Sequence, residues 1–121
     1  SALKVLSEKS FENIFNEEAI VEVPISGNIV EDGKMYKVSG RIDRLLINKH
    51  EIIIVDLKTN KVVPKEISKV PTDYKNQLAI YYKLVKQIYP DHEIKCMLLW
   101  VEKPSVMSFS SREMNSIKIF N

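Results

Sequence analysis

The stretch Ile52-Ile53-Ile54-Val55-Asp56-Leu57-Lys58-Thr59 decides how this chain reads. Its β-branched residues make a buried strand, and the run ends in an acid and a base. Side chains alternate along a strand, so Ile54, Asp56 and Lys58 point to one face while Ile53, Val55 and Leu57 point to the other. A carboxylate and an ammonium therefore stand side by side at the strand end.

Upstream lie two reversals. Asn48-Lys49-His50-Glu51 leads into this strand, and Glu31-Asp32-Gly33-Lys34 holds an Asp-Gly pair, a strong hairpin signal between the strand-like stretches Ala19 to Val30 and Met35 to Ile47. The result is a three-stranded meander. A two- or four-residue loop at the second reversal pairs positions whose numbers total 99, which sets Asp43 opposite Asp56. A two-residue Asp32-Gly33 turn pairs positions totalling 65, which sets Glu22 opposite Asp43. Glu22, Asp43 and Asp56 then form one row across three strands, unless Pro24 or Gly27 introduces a bulge and shifts Glu22. Like charges facing each other across strands are destabilising, so the row makes physical sense with a cation in it. A hard divalent ion such as Mg²⁺ takes one or two carboxylates, waters and phosphate oxygens. Lys58 could then help activate a water and offset charge building on a phosphate. Taken alone, D-x-K is a weak motif, more often a solvated ion pair than a catalytic site.

Downstream, Leu78, Tyr81, Tyr82, Val85, Ile88 and Tyr89 recur at helical spacing, predicting a helix from Thr72 or Asp73 to about Tyr89, with Pro90 ending it. Glu93 to Val101 reads as a buried strand, followed by weaker strand-like pieces near Met107 to Phe109 and Ile117 to Phe120. Ser7 to Asn16, with Ser7 and Ser10 as possible caps, predicts a short helix. Between Lys58 and the main helix, Lys61, Lys65, Lys69 and Lys75 make a basic connection, either a solvated surface or a set of phosphate contacts.

The remaining features bound the class. The chain has 121 residues, 45% hydrophobic, enough for one domain with a core, and its net charge of +2 is not that of a nucleic-acid coat protein. A single cysteine, Cys96, sits in an apolar run and excludes an internal disulfide; it reads as core packing. No apolar run approaches a membrane span and no signal peptide opens the chain, which points to the cytoplasm. Ser1-Ala2 in place of an initiator methionine points to a piece of something larger.

Asp43 in Gly40-Arg41-Ile42-Asp43, then Asp56-Leu57-Lys58-Thr59, then Gln77 and Tyr81 four apart on one helix face, together resemble the RecB-like family of PD-(D/E)xK nucleases. Within it the chain looks most like the C-terminal nuclease domain of AddA-type helicase-nuclease subunits. The resemblance runs from about Ala19 to Val101. It implies that Asp43, Asp56 and the Leu57 carbonyl hold Mg²⁺, with Mn²⁺ as a substitute, that Lys58 is the catalytic lysine, and that Gln77 and Tyr81 support the site near the DNA. One feature departs from the family. Its members commonly supply a histidine ligand from a helix upstream of the first strand, and no histidine precedes His50. His50 and His92 read as exposed turn residues.

The expected fold is thus α/β, a restriction-endonuclease-like core with a central mixed sheet flanked by helices, spanning 1–121 as a single nuclease-like domain of a larger helicase-nuclease. The expected activity is Mg²⁺-dependent exonucleolytic hydrolysis of DNA in double-strand break repair and recombination, with a helicase domain in the same parent chain and a second nuclease subunit as partners. The rival is a catalytically inactive nuclease fold that binds DNA or a partner subunit, for which the missing histidine speaks.

Overall fold

The computed structural model, which describes residues 3–5, 7–9, 12 and 19–120, reverses the chain at both expected places. Its elements are β1 (Lys4–Val5), β2 (Ile20–Glu31), β3 (Lys34–Ile47), β4 (Glu51–Lys58), a 3₁₀ turn (Ile67–Lys69), α1 (Thr72–Ile88), β5 (Glu93–Trp100), β6 (Ser105–Phe109) and α2 (Ser111–Asn115). The helix expected over 7–16 lies mostly outside the described residues.

Asp32 and Gly33 take φ values of 51° and 77°, the two successive positive angles that a tight hairpin turn of the primed type demands. From this turn β2 and β3 pair with position numbers totalling 65, from Glu31 with Lys34 to Ile20 with Leu45. No bulge intervenes, because pairing runs through both Pro24 and Gly27. At the second reversal the Asn48 side-chain oxygen accepts the backbone N–H groups of His50 and Glu51 at 3.0 and 2.7 Å, and β3 pairs with β4 at numbers totalling 99. Both predicted registers are thus present.

The six strands form one mixed sheet in the order β1-β6-β5-β4-β3-β2. Among the described strands only β4 and β5 run parallel, as the helical crossover α1 between them requires. On the sheet face under α1, Ile42, Ile52, Ile54, Leu78, Leu98 and Trp100 are buried in one core cluster. Val55, Leu99 and Val106 form a second cluster on the other face, so β4 is apolar in both directions and reads as a continuous run rather than an alternation. Cys96 is buried, and burial pushes its thiol up to about 12, consistent with a packing role.

Four details depart from the sequence reading. Ile88 ends α1 62% exposed, outside the apolar stripe. Ile117 to Phe120 is not a strand: the backbone N–H groups of Ile119 and Phe120 donate to the Glu31 carboxylate at 2.8 and 2.9 Å, and Phe120 stacks on Tyr36 with ring centroids 3.9 Å apart. A buried carboxylate replaces the neighbouring strand as hydrogen-bond acceptor. His92 is half-buried rather than exposed, one ring nitrogen 3.1 Å from the Asn48 carbonyl oxygen. Finally, the short edge strand β1, pairing with β6, had no sequence signal beyond a few alternating residues.

Candidate active site

The site begins where β3 and β4 stop pairing. Their ladder ends at Arg44 with Val55, although β3 extends back to Lys34 and β4 runs on to Lys58. In that register Asp43 and Asp56 come next, and the following exchange would join Leu57 to Ile42. Instead the Leu57 N–H donates to Asp43 Oδ2 at 2.7 Å. A residue's N–H and C=O leave a strand on the same edge, so the Leu57 carbonyl also faces the gap that opens here.

The burial pattern along β3 explains how an acid comes to fill that gap. Ile42 and Leu45, three positions apart, both join the core under α1, so strict alternation breaks between them, at Asp43. Opposite, Glu22 has φ of 50°, a left-handed conformation that costs a non-glycine residue about 1–3 kcal/mol. The pairing of Glu22 with Asp43 is missing from an otherwise regular ladder. Glu22 therefore sits level with Asp43 in the register, but at a local twist and with an exposed side chain. The inward pair is Asp43, half-buried, and Asp56, buried.

Asp56 is only 5% exposed. Burial pushes its carboxyl above the usual range; the Lys58 ammonium opposes that rise and the neighbouring Asp43 carboxylate reinforces it. Lys58 Nζ lies 2.7 Å from Asp56 Oδ2, so the ammonium is the charge partner of that buried oxygen. On its other side the ammonium rests 4.0 Å from the centroid of the Tyr74 ring.

Above the acids lies one face of α1. Tyr74, Gln77 and Tyr81, spaced three and four apart, occupy it together. The Gln77 amide donates to the Tyr81 hydroxyl at 3.0 Å, and that hydroxyl donates to the Arg41 carbonyl at 2.8 Å. Burial raises the Tyr81 phenol above its usual value, and the negative charges of Asp56 and Asp43 reinforce the rise. Tyr81 is thus buried with its hydroxyl anchored on β3, while Gln77 is exposed at the rim. Gly40 makes the seat possible: a Cβ there would stand 2.6 Å from Tyr81 Cε1. Tyr74 was missed by the sequence reading. Its position three residues before Gln77 on the same helix face was the signal.

The donor set suits a hard divalent cation. Two adjacent carboxylates, that of Asp56 buried, and a backbone carbonyl facing the same gap are the oxygen ligands such an ion takes, with waters completing its shell. Among the described residues no group of three or more His, Cys, Asp or Glu side chains is placed to hold a metal. His50 and His92 lie near the start of β4, at the far end of that strand from Asp56. Lys61, Lys65 and Lys69 are exposed on the connection between β4 and α1, and Lys75 is half-buried in the first turn of α1. A cavity of about 480 Å³ lies elsewhere, between β5, β6 and α2 around Lys95, Phe109 and Arg112.

A mixed sheet that delivers two acids and a lysine to the end of one strand, beneath a helix bearing glutamine and tyrosine, has the build of a PD-(D/E)XK nuclease fold. Residues 2–116 match the model of the PD-(D/E)XK nuclease superfamily, and the chain belongs to that superfamily. Its members are usually nucleases and typically use divalent metal ions. Among solved structures, the crystal structure of SSO0001 is similar, with a TM-score of 0.52 and 23% identity over 84% of this chain and 47% of that one. At that identity the likeness speaks for the fold alone, and this chain spans about half the length of its neighbour. No curated protein matches the sequence. No helix among the described residues is long and apolar enough to cross a membrane.

Proposed function

We propose that this domain hydrolyses DNA phosphodiester bonds with a divalent cation, Mg²⁺ or Mn²⁺ as its substitute, held by Asp43, Asp56 and the Leu57 carbonyl. The observation that carries this reading is the juxtaposition of the two acids with Lys58 Nζ 2.7 Å from Asp56. When bound, the cation would neutralise the paired carboxylates and make a water acidic enough to attack phosphorus. The ammonium of Lys58 offsets charge growing on the phosphate oxygens as that attack proceeds. Glu22, exposed beside Asp43, is available to orient the attacking water. Gln77, at the rim of the site, offers an amide to the substrate, and Tyr81 holds α1 against the strand that carries Asp43. Lys61, Lys65, Lys69 and Lys75 contact phosphates, which gives affinity without sequence preference.

The resemblance to RecB-like and AddA-type nucleases supports a finer reading: an exonuclease in double-strand break repair and recombination, in the cytoplasm. A helicase domain of the same parent chain would feed ends into the site, beside a second nuclease subunit. The test is degradation of linear DNA in Mg²⁺. Wild type should cut, and Asp56→Ala and Lys58→Ala should not, while both variants remain folded. Cleavage that survives Asp56→Ala overturns the mechanism.

The absence of a third carboxylate or imidazole ligand among the described residues favours a second reading, an inactive nuclease fold that binds DNA or a partner subunit. It predicts DNA retention that is indifferent to chelator. Against it stands the Asp43–Asp56 pair, which is unfavourable without a cation and has no use in a fold that only binds.

A further inference from the structure

Among the described residues Lys58 has two partners, and they differ in what a metal would do to them. The first is Asp56 Oδ2, an ion pair at 2.7 Å. The second is the face of Tyr74, 4.0 Å from Nζ to the ring centroid. Asp43 and Asp56 would hold a cation, and Asp56 would then share its carboxylate between that charge and Lys58, which would weaken the ion pair. The ring is untouched by that competition, because its attraction for an ammonium comes from the π quadrupole and not from a ligand the metal can take. Lysine on its own is a flexible stem with four carbons to order, so losing one of two restraints would let the ammonium wander.

We propose that Tyr74 is a positioning residue that holds the Lys58 ammonium at the end of β4 when Asp56 would be shared with a cation, an inference that rests on the nuclease reading above. The fold supports this placement through one chain of contacts. The open space at Gly40 admits the Tyr81 ring, the Tyr81 hydroxyl fastens α1 to the Arg41 carbonyl, and Tyr74, seven residues earlier on the same helix face, is thereby set over Lys58. The side chain of Lys58 is 15% exposed, so the ring also shields the contact from water, which strengthens it.

The experiment compares wild type, Tyr74→Phe and Tyr74→Leu, two readouts each. The first is the NMR signal of the Lys58 methylene groups, identified by its loss in Lys58→Gln and recorded with and without Mg²⁺. In wild type it should be displaced upfield by the ring in both conditions; Tyr74→Phe should keep the displacement and Tyr74→Leu should abolish it. The second is single-turnover cleavage of linear DNA beside DNA affinity in Ca²⁺. Leucine should slow cleavage about tenfold with affinity unchanged, and phenylalanine should restore the rate to within about threefold of wild type. A merely structural role would move affinity or melting temperature with the rate and would not distinguish leucine from phenylalanine. An undisplaced Lys58 signal in the Mg²⁺ form, or equal rates in the leucine and phenylalanine variants, overturns the proposal. A displaced signal in a wild type that cuts no DNA has a different meaning: it overturns the nuclease reading and leaves the contact structural.

Discussion

Asp43 takes the place of a backbone carbonyl: its Oδ2 accepts the Leu57 N–H at 2.7 Å, the bond that Ile42 would have accepted had the β3–β4 ladder continued. One carboxylate thereby both closes the end of a sheet ladder and lines a cation site. The two duties can be separated. Asp43→Asn keeps an oxygen acceptor and removes the charge, whereas Asp43→Ala leaves the half-buried Leu57 N–H unsatisfied. Expected is loss of cleavage in both, with the alanine variant less stable than the asparagine variant by about 1–3 kcal/mol in urea unfolding. Equal stability would mean that the bond to Leu57 is not a structural element.

Gly40 should tolerate no side chain. A Cβ there meets the Tyr81 ring at 2.6 Å, and Tyr81 is pinned between Gln77 and the Arg41 carbonyl, so it has little room to yield. Gly40→Ala should cost about 1–3 kcal/mol of stability and lower the cleavage rate by lifting α1 from the site. An alanine variant with wild-type melting and wild-type rate would show that the helix seat does not govern the chemistry.

The raised carboxyl of Asp56 makes stability depend on pH in a definite direction. Because the folded protein holds this proton more tightly than the unfolded chain, stability should fall as pH rises from the ordinary carboxylate value through the raised one. Asp56→Asn should flatten that slope in melting curves from pH 3 to pH 8. Divalent metal should reverse it, since the ion binds the ionised form. A slope unchanged in Asp56→Asn would assign it to other groups.

At the opposite end of the β2–β3 ribbon, the Glu31 carboxylate holds the backbone of Ile119 and Phe120. Glu31→Ala should release this segment, accelerating hydrogen exchange at both amides by an amount corresponding to about 1.5–3 kcal/mol, and leave cleavage intact. Protection that persists at Ile119 and Phe120 would assign the hold to the Tyr36–Phe120 stack instead.

Much of this was legible in the sequence because turn chemistry and period two are local signals. Asp32-Gly33 set one register, which brings Glu22 level with Asp43, and the Asn48 reversal set the other, which puts Asp43 beside Asp56, neither with reference to any tertiary contact. What alternation alone could not show was its own failure at Asp43, where the apolar phase of β3 shifts between Ile42 and Leu45. For the same reason Glu22 read as a member of an even row, whereas its left-handed backbone takes the side chain out to solvent. Tyr74 and the Glu31 hold on the C-terminal segment depend on contacts between residues sixteen and nearly ninety positions apart, which periodicity does not encode.

The most direct measurement is the melting temperature of this chain against Mn²⁺ concentration, beside Asp56→Ala. An ion that binds only the native state adds about 2.7 kcal/mol at a hundred times its dissociation constant, which for a domain of this size raises the melting point by on the order of 10 °C. Wild type should show that rise and Asp56→Ala should not. A wild type that melts at the same temperature at every Mn²⁺ concentration, or a variant that rises as far as wild type, would contradict a cation site at Asp43 and Asp56.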